Sequence, residues 1–140
     1  MKRVLTGILK IIAVAVLLVG VCLYVLVNHS AVTQELTCKG YWKELGQDKE
    51  VAEVAHVQLT KYRWWLWSES DGNVKAQTET NPLALYISFV KKIGEGSLAL
   101  YEFWESKSGG FKGGYRAANG EITLKFSDNL VFVGTLCRPR

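Results

Sequence analysis

The chain has 140 residues, with 17 Lys and Arg against 13 Asp and Glu, for a formal charge of +4. A hydrophobic fraction of 49% beside 21% charged residues excludes a disordered chain, two prolines exclude a Pro-rich linker, and three cysteines exclude a dense disulfide scaffold. Such a length holds one globular domain of ordinary size.

The first element is apolar. From Val4 to Val27, 20 of 24 residues are apolar, the exceptions being Thr6, Gly7, Lys10 and Gly20. A helix of about 20 such residues crosses the hydrocarbon layer of a bilayer, and Lys10 is placed to snorkel towards the headgroups. The run is longer than a signal-peptide core and ends in Asn28-His29-Ser30-Ala31, a poor cleavage site, so an uncleaved signal anchor is expected. Lys2, Arg3 and Lys10 precede or open the segment, and no Lys or Arg follows until Lys39. The positive-inside rule then puts residues 1–3 in the cytoplasm, 4–27 in the inner (plasma) membrane and the rest in the periplasm or its extracytoplasmic equivalent. Those three cations supply most of the net charge: the remaining chain has 14 basic and 13 acidic side chains, a balance of +1. The basic character therefore reports membrane topology, and no nucleic-acid partner is expected.

Residues 28–35 read as a short polar linker, and 36–140 as the exported domain. Turn signals recur there at short intervals, Asp71-Gly72 and Asn119-Gly120 being the strongest. Between them lie runs rich in Val, Ile, Tyr, Phe and Trp, and Glu121 to Phe126 alternates polar and apolar without a break. The pattern predicts eight strands at 36–44, 51–68, 73–79, 83–91, 97–105, 111–117, 121–126 and 130–137. The fold class is an all-β exported domain, an antiparallel meander closed as a barrel or packed as a sandwich, behind one transmembrane helix.

Cys38 opens the first strand and Cys137 ends the last. In an oxidising compartment a lone pair of domain cysteines is a disulfide candidate. A closed meander with an even strand count sets its first and last strands antiparallel, which brings these two positions together. The third cysteine, Cys22, falls within the membrane segment.

Tyr62-Arg63-Trp64-Trp65-Leu66-Trp67 carries aromatic side chains on both faces of a strand. Tyr62, Trp64, Trp65 and Trp67 are thus the candidate interaction surface, for an envelope protein partner or the membrane interface. Leu83 to Val90 is likewise apolar on both faces. Chemistry is harder to find. The histidines are His29, at the membrane edge, and His56, in a strand pattern, so neither metal-ligand spacing nor a nucleophile–base set is present. Ser68 to Asn73 lacks the alternating acids of a calcium loop, and Gly109-Gly110 with Gly113-Gly114 reads as a turn and a strand kink, since no helix follows to hold a phosphate. No cofactor, no metal and no enzymatic activity are expected.

Gly40-Tyr41-Trp42 in the first strand, with Arg138 at the end of the last, resembles the G-x-W and C-terminal Arg pairing of lipocalins and related calycin barrels. The resemblance implies that Trp42 and Arg138 pack together to close one end of the barrel. It also implies a carrier or sensor of a small apolar ligand or lipid, with Trp104 and Phe126 beside Trp42 as candidate pocket-lining residues. The helix that follows the barrel in lipocalins and their middle T-D-Y motif are missing here. Leu36 to Gly40 and Phe132 to Cys137 also resemble the domain ends of small single-pass bacterial membrane proteins of uncharacterised function.

Overall fold

The computed structural model describes residues 2–47, 50–63, 70–80 and 83–140. The chain divides into two compact units, residues 1–31 and 32–140. The first is a single α-helix, α1 (Lys2–Ser30). Within it Val4–Leu26 is a candidate membrane span of 23 residues, and its large side chains, Leu9, Ile11 and Leu17 among them, are exposed. At 1.5 Å per residue this stretch reaches about 35 Å, enough to cross a hydrocarbon core.

The second unit is all β. Its strands are β1 (Ala31–Glu44), β2 (Glu50–Tyr62), β3 (Gly72–Thr78), β4 (Ala84–Ile87), β5 (Phe89–Ile93), β6 (Leu100–Trp104), β7 (Phe111–Arg116), β8 (Glu121–Lys125) and β9 (Leu130–Pro139). They form one antiparallel sheet in the order β4-β3-β2-β1-β9-β8-β7-β6-β5, curled into a nearly closed barrel. Residues 28–35 are shared between the end of α1 and the start of β1. The polar residues of that first stretch of β1 make cross-strand contacts to β2: Thr33 with Thr60 at 3.1 Å, Gln34 with Lys61 at 2.8 Å and Glu35 with Gln58 at 3.2 Å.

Nine strands replace the expected eight because the run 83–91 breaks at Ser88. β4 pairs with β3 and β5 pairs with β6, yet the two follow each other with one residue between them. They are one course of chain that changes neighbours midway. The Asp71 N–H donates to the Val90 carbonyl at 2.8 Å, drawing β5 towards the start of β3 and almost closing the seam. The meander therefore keeps an even number of courses, and β1 meets β9 antiparallel.

That meeting places Cys38 directly opposite Cys137, their Cα atoms 4.0 Å apart and joined by a disulfide across 99 residues of sequence. The register shifts beside them: Lys39 pairs with Leu136 and Gly40 with Gly134, leaving Thr135 as an extra residue in β9. Such a bulge changes which side chains face in. Phe132 and Gly134 face inward before it and Cys137 after it. Gly40 allows the close crossing, since a Cβ there would stand 2.0 Å from the Val133 carbonyl oxygen. A second bulge, at Lys112, lies beside Gly113, whose φ of +135° favours glycine and whose Cβ would meet the Thr123 carbonyl oxygen at 1.9 Å. The kink expected at Gly113-Gly114 is this feature.

Alternation fills the barrel. Leu36, Val57, Leu59, Val74, Ile87, Val90, Phe103, Ile122, Leu124 and Phe132 all point inward and are buried. The barrel has two distinct ends. The entry end holds the start of β1, the end of β2, the start of β3 and the C-terminus, where the Arg140 N–H donates to the Glu35 carbonyl at 3.0 Å. The far end holds the end of β1, the start of β2, the end of β3, the start of β4 and the β6–β7 and β8–β9 connections.

Candidate binding surfaces

The inward face of β2 reads Glu53, Ala55, Val57, Leu59, Lys61. Three apolar residues line the middle of the barrel, and one ionisable residue stands at each end.

At the far end, Glu53 is only 4% exposed and fully engaged. Its carboxylate accepts from the Trp42 indole N–H at 3.1 Å, the Val54 N–H at 2.8 Å, the Thr80 N–H at 3.3 Å and the Thr80 hydroxyl. Burial alone pushes this carboxyl up. The Thr80 hydroxyl, the Val54 N–H, the Trp42 indole and the Thr80 N–H outweigh it and hold the group below the usual carboxylate range. Trp42 also packs edge-on against Phe126 at 5.0 Å and Phe132 at 5.8 Å. The cluster is a plug with its polar atoms satisfied.

This corrects the closure read from the G-x-W resemblance. Trp42 pairs with Phe132 at the far end, whereas Arg138 pairs with Thr37 towards the entry end and is exposed. Five residues of extended strand, about 17 Å, separate the two levels. The partner that Trp42 uses is Glu53. The candidate pocket-lining residues are likewise dispersed. Trp104 lies on the outer wall with its ring 5.3 Å from Phe111 and its indole N–H 3.3 Å from Glu102. Phe126 belongs to the far-end plug, packed against the core.

The outer wall over β2, β3 and β4 carries a groove of about 450 Å³. Register sets its floor in two rows across the strands, Gln58–Lys75–Tyr86 and His56–Gln77–Ala84, with Leu85 beside them. Tyr86 is 62% exposed, and the Lys75 ammonium stands 5.9 Å from its ring. His56 contacts Glu79 at 2.9 Å. β4 ends the strand order, with β3 on one side; among the described residues no strand pairs with its other edge.

At the entry end a second recess, of about 380 Å³, is lined by Val32, Lys61, Tyr62, Arg63, Asp71, Lys92 and Tyr101. Of the four aromatic residues expected to form an interaction surface, Tyr62 stands here, half-buried, its hydroxyl accepting from the Asn73 amide at 2.9 Å. Trp64, Trp65 and Trp67 lie outside the described residues. Lys61 and Glu53 were not singled out by sequence, although alternation along β2 puts both on the inward face with Ala55, Val57 and Leu59. Among the described residues no group of three His, Cys, Asp or Glu side chains is placed to hold a metal ion.

Comparison with protein-family models, curated proteins and solved structures found no match, so the functional reading rests on the geometry alone.

Proposed function

We propose that this is a membrane-anchored, extracytoplasmic binding module, without catalytic activity, whose β-domain holds an extended segment of an envelope protein partner. The observation that carries it is the groove beside β4, a strand whose second edge pairs with no strand among the described residues. Unpaired backbone groups along such an edge recruit a further strand, and flanking side-chain recesses give it specificity. The groove offers an aromatic ring, an ammonium, an imidazole and amides in adjacent rows, a mixture suited to a peptide. The apolar anchor, the positive-inside charge and a disulfide suited to an oxidising compartment support an N-terminus in the cytoplasm and a domain in the periplasm or its equivalent. A calycin-like carrier of an apolar ligand is less well supported, because the barrel axis is occupied by Phe103, Phe132 and their neighbours.

Photo-cross-linking in intact cells tests the reading. A photoreactive residue at Tyr86 of the full-length chain is expected to capture one protein partner, and the same residue at Thr123 on the β8 wall to capture none. The partner should also slow amide exchange over 84–87. Equal capture at both positions, or unchanged exchange in β4, would overturn it.

A further inference from the structure

Among the described residues, the entry-end recess gathers three cations, Lys61, Arg63 and Lys92, around Tyr62 and Tyr101, with Asp71 as the carboxylate in the lining. The Asp71 carboxylate already accepts the Lys92 backbone N–H at 2.7 Å. Among the described residues none of the three cations belongs to an ion pair; the ion pairs present join other side chains. Lys61 instead bonds the neutral Gln34 at 2.8 Å and lies over the Tyr101 ring, 4.7 Å from its centre. Its ammonium is held below the usual lysine range by burial first and by the charge of Lys92 second. A partly buried ammonium near a second one, with no ion-pair partner of its own, is relieved by an anion.

We propose that this recess binds a phosphate-bearing anion. Among the described lining residues, three cations against one carboxylate leave an excess matched by a group with up to two negative charges and several acceptor oxygens. A volume of about 380 Å³ suits a headgroup-sized ligand and excludes a folded partner. Val32 lines the recess, six positions after Leu26, where the candidate span ends. Whatever path the chain takes, six residues reach at most about 21 Å. If α1 spans a bilayer, the recess is tethered at headgroup distance. The phosphate therefore comes either from an anionic phospholipid or from a free phosphate compound, and the site is separate from the groove beside β4.

The test uses full-length protein in neutral detergent, titrated calorimetrically with short-chain phosphatidylglycerol, short-chain phosphatidylcholine and inorganic phosphate. Saturable binding of phosphatidylglycerol is expected, weakened about tenfold or more in Lys61→Gln/Lys92→Gln and unchanged in Lys112→Gln on the β7 bulge. Arg63→Gln, at an exposed position, is the second variant should the double change disturb folding, and it should also weaken binding. If inorganic phosphate binds with the same dependence on these residues and phosphatidylglycerol binds no better, the free compound is the source. Absence of saturable binding by either, or binding indifferent to Lys61, Lys92 and Arg63, overturns the proposal. Loss of the cross-link at Tyr86 would leave this result untouched, so the two readings fail separately.

Discussion

Cys38 and Cys137 face each other across β1 and β9, and odd-numbered Cys137 turns inward with Phe132 and Gly134 because Thr135 is one residue more than the pairing needs. The strand enters the bulge with even-numbered positions inward and leaves it with odd ones inward. Deleting Thr135 removes the extra residue: Leu136 then follows Gly134 directly and stays outward, and Cys137 takes the next inward position, opposite Cys38 in unbroken register. Alkylation and mass spectrometry should then find the bridge intact in the deletion variant, and free thiols there would contradict this account.

Removing the bridge itself should cost stability without changing the topology. The closed loop spans 99 residues, and the chain-entropy model gives about 4.7 kcal/mol for a loop of that size, with native values commonly about 2–5 kcal/mol. Cys38→Ala/Cys137→Ala is expected to lower the urea midpoint accordingly. A midpoint equal to that of the parent would mean that the barrel closes without its staple.

Glu53 predicts a pH dependence. Its carboxyl titrates below the ordinary value of 4.5 in the folded domain. The unfolded chain therefore binds the proton first, and the stabilisation is fully present above the ordinary value and lost as pH falls through the folded one. Glu53→Gln should destabilise the domain by about 1–3 kcal/mol at neutral pH. It should also flatten the stability curve below pH 4.5. Denaturant titrations of both proteins at neutral and acid pH measure the two effects, and parallel curves would remove Glu53 as their cause.

Gly113→Ala should be costly. The new Cβ would stand 1.9 Å from the Thr123 carbonyl oxygen at a φ of +135°. A loss of about 2 kcal/mol or more is expected, read as a lower thermal midpoint. Gly46→Ala, with positive φ and open space around it, should cost less. A larger loss at Gly46 would show that the β7–β8 approach relaxes freely.

Periodicity made much of this fold legible. β8 alternates cleanly, and its observed bounds fall within one residue of those expected. The cysteines pointed to a closed, even meander. The break at Ser88 was hidden because Leu83 to Val90 is apolar on both faces, so no change of pattern marks the change of neighbour. The first residues of β1 resembled a linker because their polar side chains serve an outer hydrogen-bonded ladder to β2. Bulges such as Thr135 leave no compositional trace. The Trp42–Arg138 pairing failed for a related reason, since a short motif names residue types but not their level along a strand pair. The two ends of the β2 inward face were readable in principle: a charge at each end of an apolar alternation marks where a barrel interior stops.

The Arg140 bond to Glu35 keeps the last residue of the chain beside the first strand. A fusion added after Arg140 is therefore held at the same rim as Lys61, Arg63 and Lys92, where its bulk obstructs whatever approaches them. The turn at Ser108-Gly109 lies at the opposite rim, so a fluorescent reporter inserted there can follow the protein while leaving that approach clear.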